Sequence, residues 1–232
     1  MAAKGERPDP QIKPKDRPYN KKNREVEFMN KQQSTLVIVL VLVGLIAGAK
    51  IFLAPKKVPV NLQTSRAKGN PEARVKIVEF VDFQCPACAF GIKFLKTFFD
   101  QHPNDIYLQV KYFPLTNMHH HAMISALYSE CAARQGKFWA LDDLMIPQQG
   151  QWAQLISPDP VFQSMAQQAG MDMGQLNTCL ASDDARRVIN DEKSLGQSLG
   201  ISSTPTYFVN NKMVVGVKSL SDELNTYFPT GK

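Results

Sequence analysis

The spacing of apolar positions changes several times along the chain, and each change marks a different kind of segment. Residues 1–34 show no apolar period and carry Pro8, Pro10, Pro14 and Pro18, which rule out a continuous helix. They read as a disordered basic tail on the cytoplasmic side. Residues 35–54, TLVIVLVLVGLIAGAKIFLA, are apolar in every direction except at Lys50. About 20 such residues cross a bilayer as a helix, and a lysine at the end of the run can lift its ammonium to the interface. One transmembrane anchor is therefore expected. Residues 55–72 hold Pro55, Pro59, Gly69 and Pro71 and read as a linker to a domain spanning 73–232.

Within that domain, residues 75–81 form a run of β-branched and aromatic residues, the pattern of a buried strand. A helix is predicted from Pro86 to about Gln101, stopped by Pro103, and a second strand over 106–113. From 114 to about 200 the pattern is helical, with turn signals at Gly136, Pro147, Pro158 and Gly170. Residues 206–209 and 212–217 are predicted to pair as a hairpin across Asn210-Asn211, and a final helix covers 220–228. This order predicts an α/β fold whose sheet is interrupted by a helical insertion at about 114–200.

The net charge of +6 changes the picture little. Residues 1–34 contain nine of the 27 basic and five of the 21 acidic residues, so most of the excess lies in the tail. No basic stripe with interleaved aromatics is present to bind nucleic acid. Basic residues flank the apolar run on both sides, so charge does not orient it. The cysteines do: Cys85, Cys88, Cys131 and Cys179 all follow the run. Their side is expected to be the oxidising one, outside the inner membrane. Ala47-Gly48-Ala49 resembles a signal-peptidase site. The leading tail is long for a signal peptide, however, and apolar residues continue past it, so a retained anchor is expected.

The chemistry centres on Cys85-Pro86-Ala87-Cys88, placed where the first strand passes into the first helix. Unsatisfied N–H groups at a helix start favour an anion, which lowers the pKa of a thiol there. Pro86 suits the first helical turn, where a missing N–H costs nothing. Cys88, Ile92, Leu95 and Phe99 share the apolar face, whereas Cys85 precedes it. Cys85 is thus expected to be the attacking thiolate or the attacked sulfur, with Cys88 as its buried partner. A structural bridge or half of a zinc site are the competing uses of the motif, but no second C-x-x-C supplies further ligands. Thr204-Pro205 precedes the hairpin. A proline there can be cis and expose the preceding backbone to an extended partner strand, or can form an ordinary trans turn.

These segments carry a family resemblance. Val78 to Cys88, Lys111 to Leu115, His121, Gly136 to Trp139 and Ser203 to Phe208 resemble the DsbA-like thiol–disulfide oxidoreductases of the thioredoxin superfamily. The resemblance implies a thioredoxin-like fold with an inserted helical domain. It implies that Cys85 is the nucleophile and Cys88 the resolving thiol, and that Pro205 is a cis proline with Thr204 presenting its backbone to substrate. Glu79 stands where many members keep a buried acid able to exchange a proton with Cys88. A solvent-facing position on an edge strand is the alternative for it. Ala87 replaces the histidine common in the motif, so a weaker oxidant is expected.

Cys131 and Cys179 both fall in the helical insertion, and a structural disulfide between them is expected, worth about 4 kcal/mol. Two buried free thiols are the alternative. Met118-His-His-His-Ala-Met123 holds soft and imidazole ligands of the kind copper takes. Consecutive residues on a helix point apart, though, so a packed helix start is expected and no metal. The expected activity is disulfide formation in reduced or unfolded exported proteins, without a cofactor, with reoxidation by a quinone-linked membrane partner. The same chemistry run as a reductase or isomerase, or a copper-binding thiol module, are the alternatives.

Overall fold

The computed structural model describes residues 35–46 and 64–229. Residues 35–46 are helical (α1), with the apolar side chains of Leu36 to Ile46 exposed. Among the described residues no helix is long and apolar enough to cross a membrane. The remainder of the expected 35–54 anchor, the Ala47-Gly48-Ala49 site and the 1–34 tail lie outside the described residues.

The rest of the described chain folds around one five-stranded sheet in the order β1-β3-β2-β4-β5. At its centre is β2 (Val75–Val81), parallel to β3 (Ile106–Tyr112) and antiparallel to β4 (Thr206–Val209). The crossover between β2 and β3 is α2 (Pro86–Gln101), which forces the parallel pairing. β5 (Lys212–Val215) closes one edge through a two-residue turn. Asn210 and Asn211 both adopt positive φ, 47° and 73°, as a tight hairpin requires and asparagine tolerates. The final helix, α9, starts at Gly216 rather than 220. β5 therefore stops at Val215, and Val217 belongs to the helix and packs toward α2.

The other edge departs from expectation. Residues 64–72, read as linker, supply β1 (Ala67–Gly69), antiparallel to β3. Arg66 is the reason this polar stretch folds down. Its guanidinium forks onto Glu192 at 2.7 and 3.1 Å, donates to the Val110 carbonyl at 3.1 Å and lies 4.4 Å over the Tyr112 ring. Glu192 also accepts from the Tyr112 N–H and pairs with Lys111.

Both sheet faces are covered. Val75, Ile77, Tyr207 and Val209 pack with Leu95, Leu220 and Leu224 under α2 and α9. Val78, Phe80 and Phe208 pack with Phe113 and Ile201 on the opposite face. The insertion comprises α3 (Ala122–Arg134), α4 (Phe138–Met145), α5 (Gln149–Trp152), α6 (Asp159–Gln168), α7 (Met173–Leu180) and α8 (Asp183–Ser198). Its core of Tyr128, Trp152, Phe162 and Leu141 is continuous with Val81, Phe83 and both cysteines of the C-x-x-C. The insertion is thus packed directly on the end of β2 from which the motif emerges.

Candidate active site

The chain leaves β2 at Val81, turns over residues 82–84 and starts α2 with Cys85 as its N-cap in extended backbone. Pro86 takes the first helical position. The Cys85 carbonyl accepts from the N–H groups of Cys88 (3.0 Å) and Ala89 (3.2 Å). Cys88 falls one turn in and is fully buried, whereas Cys85 keeps 8% of its surface and Pro86 and Ala87 are exposed. Of the predicted apolar face, Cys88 and Leu95 are buried and Ile92 and Phe99 half-buried.

Both cysteines are free thiols, with unlike acidities. A hydrogen bond from the Cys88 thiol is the largest influence on Cys85. It outweighs the opposing effect of burial and, with the N–H groups of Cys88 and Ala87, brings the Cys85 thiol down from 9.0 to about 5. Burial pushes Cys88 well above its ordinary value, and the Cys85 sulfur adds to this. The Thr204–Pro205 peptide is cis, and the Thr204 carbonyl lies 3.6 Å from Cys85 Sγ. Thr204 Oγ1 is buried with no other hydrogen-bond partner among the described residues, and its side chain favours the thiolate form of both cysteines. The fold thus brings Cys85, Cys88, Thr204 and Pro205 together.

Two further residues hold the turn before Cys85, and neither stands out in the sequence. Asp82 is buried, and its carboxylate accepts from the N–H groups of Gln84 and Leu115 (both 2.9 Å). It also contacts His119 Nδ1 at 2.8 Å. Gln149, on α5 of the insertion, donates its amide to the carbonyls of Phe83 (2.7 Å) and Cys85 (2.9 Å). A lone Gln in a polar run gives no sequence signal for such a clamp. The histidine cluster divides accordingly: His119 faces Asp82, and His121 meets the Leu155 carbonyl at 2.8 Å.

Glu79 is 1% exposed, on the face of β2 that looks at α2. Burial raises its carboxyl from 4.5 to about 8, helped by Asp142 and opposed by Tyr207 and Lys68. Asp142, on α4, is likewise raised by burial from 3.8 to about 7, against the pull of Lys68. Glu79, Asp142, Lys68 and the Lys96–Asp143 ion pair line a cavity of about 20 Å³, room for about one water. Cys131 and Cys179 are joined by a disulfide between α3 and α7, Cα–Cα 5.8 Å.

Comparison with known proteins agrees with this architecture. Residues 61–226 match the Thioredoxin_4 family, described as thioredoxin. Among curated proteins, the Na(+)/H(+) antiporter NhaA 3 of Salinispora tropica is 27% identical over 188 residues. That match covers 80% of this chain but 28% of the antiporter, so the chain spans under a third of that relative's length. A thioredoxin-like oxidoreductase from Silicibacter pomeroyi superposes with a TM-score of 0.58 at 23% identity, covering 71% of this chain and 92% of that one. The thiol-disulfide exchange protein alpha-DsbA2 from Wolbachia pipientis gives 0.60 at 18% identity, covering 72% and 88%. The chain belongs to the thioredoxin family, and its fold is that of the DsbA-like thiol–disulfide oxidoreductases.

Proposed function

We propose that this protein thiol–disulfide oxidoreductase introduces disulfides into reduced or unfolded exported proteins. The observation that carries the reading is the asymmetry of the pair. One sulfur is partly open, acidified and 3.6 Å from the Thr204 carbonyl, and the other is sealed beneath it. In the oxidising direction a substrate thiolate attacks Cys85 Sγ of the Cys85–Cys88 disulfide. A mixed disulfide forms and Cys88 leaves as a thiolate that takes up a proton. A second substrate thiolate attacks the substrate sulfur of the mixed disulfide, the substrate disulfide forms, and Cys85 leaves as its thiolate. Two electrons pass from substrate to enzyme.

The roles follow from position. Cys85 is the nucleophile and Cys88 the resolving thiol. Pro86 and Ala87 form the exposed rim, and the Thr204-Pro205 backbone receives the substrate strand. Glu79 exchanges a proton with Cys88, and the Cys131–Cys179 bridge braces the insertion. A membrane partner linked to quinones restores the disulfide. Residues 35–54 anchor the chain in the inner membrane with the domain on its outer side. The all-round apolar sequence and the exposed apolar side chains of α1 support that anchor. The reductase or isomerase direction has one supporting observation, Ala87, which places no cation beside the thiolate.

Equilibration of the full chain with glutathione buffers tests the direction. A potential above about −200 mV, with oxidation of a reduced unfolded protein that Cys85→Ser abolishes, is the expected result. A potential near the roughly −270 mV of a reducing thioredoxin would reverse the assignment.

A further inference from the structure

Tyr207 is the second residue of β4 and the register partner of Glu79 on β2, so the two side chains leave the sheet on the same face. The ring is fully buried. Its hydroxyl rests on the α2 backbone at Gly91, where it lies 2.1 Å from the position a Cβ would occupy. Any other residue at 91 would displace it, which is why the close approach needs glycine. Gly91 follows Cys88 by three residues, so the hydroxyl meets α2 on the face that carries the buried sulfur. Among the described residues, Tyr207 Oη and Glu79 Oε1 are both buried with no other hydrogen-bond partner, and the hydroxyl acts on the Glu79 carboxyl as a hydrogen-bond partner. A buried hydroxyl whose one partner is a buried carboxyl is costly to desolvate and needs a reason. Phenylalanine would fill the same space without that cost.

We propose that the Tyr207 hydroxyl is the link through which Cys88 and Glu79 exchange a proton. This rests on the oxidoreductase reading above. When Cys88 leaves as a thiolate, its sulfur takes the Tyr207 hydroxyl proton and Tyr207 oxygen takes the Glu79 carboxyl proton. The thiolate becomes a thiol and the carboxyl a carboxylate, with the phenol unchanged. In the reverse direction each transfer runs backward, and Cys88 becomes a thiolate able to attack a mixed disulfide. A phenol hydroxyl accepts and donates at one oxygen, so it can pass a proton without moving. Burial keeps the phenol well above its ordinary pKa, with Glu79 and both cysteines adding to this, so the hydroxyl stays neutral while it does so. Beyond Glu79, the cavity bordered by Asp142, Lys68 and the Lys96–Asp143 pair leads the proton outward. Tyr207 is a catalytic residue in this scheme, since it hands the proton directly to the Cys88 sulfur, while the electron transfer belongs to the cysteines.

The test is the reaction of the reduced full chain with glutathione disulfide. Acid quenching and mass measurement separate formation of the Cys85–glutathione mixed disulfide from its resolution by Cys88. Wild-type resolution should level off above about pH 8, where Glu79 is ionised. In Tyr207→Phe, resolution should slow at least tenfold at pH 7 and rise in proportion to hydroxide, while formation stays within twofold of wild type. Glu79→Gln should reproduce this profile, and the double variant should be no slower than either single one. A Tyr207→Phe protein with wild-type resolution rate and pH profile overturns the proposal. So does a double variant slowed by the product of the two single effects. If Glu79→Gln alone slows resolution, only the role of Tyr207 falls. If the wild-type chain forms no mixed disulfide, the oxidoreductase reading falls with it.

Discussion

Replacing Glu79 by Gln should stabilise the folded chain at neutral and alkaline pH and change nothing in acid. Unfolded, Glu79 ionises near 4.5, while in the fold burial holds its proton until about pH 8. Its folded pKa is raised, so stability is at its full value below about 4.5. It then declines as pH rises and reaches a floor above about 8. The interval corresponds to about 5 kcal/mol when ionisation is complete, at about 1.4 kcal/mol for each tenfold change. At pH 7 about 3 kcal/mol of this cost has accrued. Glutamine keeps the shape and cannot ionise, so the variant is freed of it. Asp142 remains in both proteins, and because its charge helps to raise Glu79, its own proton is lost more easily once Glu79 can no longer ionise, which adds to the gap in the same direction. Urea unfolding of wild type and Glu79→Gln at pH 4, 7 and 9 measures the gap. With a slope of about 2 kcal/mol per molar urea, the variant's midpoint should be about 2 M higher at pH 9 and unchanged at pH 4. Equal midpoints at pH 9 would refute the buried, proton-holding carboxyl. A gap that persists at pH 4 would show that packing, not ionisation, separates the two.

Alkylation of the reduced chain by iodoacetamide should show a Cys85 midpoint near pH 5. In Cys88→Ala it should move up by more than one pH unit, because the lost thiol donor is the largest cause of the acidity. An unmoved midpoint would assign that acidity to the helix start alone. Removing the second bridge with Cys131→Ser/Cys179→Ser opens a loop of 48 residues and should cost about 4 kcal/mol in urea unfolding. The Cys85 midpoint should stay put. Arg66→Ala leaves Glu192 buried without its main partner and should cost about 3–5 kcal/mol. Burial alone would raise Glu192, but Arg66 brings it below its ordinary value. Its contribution is therefore complete above about 4.5 and disappears as acid protonates it in the fold. The urea midpoints of wild type and Arg66→Ala should converge at low pH.

The parts of the fold legible in the sequence are those written as continuous patterns. The β-branched run over 75–81, the break at Pro103 and the Asn210-Asn211 turn each mark an element through local chemistry, and the sheet forms from those elements. β1 was not legible because three residues within Thr64 to Asn70 carry no apolar alternation. That strand exists because Arg66 reaches Glu192, 126 positions later. A pairing of that span leaves no trace in a window of ten residues. The start of α9 differs from the expected 220 for the opposite reason. Val217 extends the β-like composition of Met213-Val214-Val215, and only the positive φ of Gly216, 75°, ends the strand before it.

The same division runs through the site. A C-x-x-C at a strand-to-helix junction announces itself, since its chemistry follows from residues that are neighbours in the chain. Of what surrounds it, Glu79 on β2 is marked by the family resemblance, whereas Asp142 on α4, Gln149 on α5 and Tyr207 on β4 come from distant segments. Each of these three is an ordinary residue in its own stretch and acquires its character from burial. That burial follows from the insertion packing on the end of β2, which seals Cys88 and encloses the acids beneath it. The insertion is therefore part of the cysteine pair's surroundings. Gln149 holds the carbonyls before and at Cys85, and Asp142 acts on the buried Glu79 carboxyl. Substitutions on α4 and α5 that leave the fold intact should still alter the acidity of Cys85 or the pH dependence of Cys88. Substitutions on α7, which touches neither sulfur of the C-x-x-C, should not.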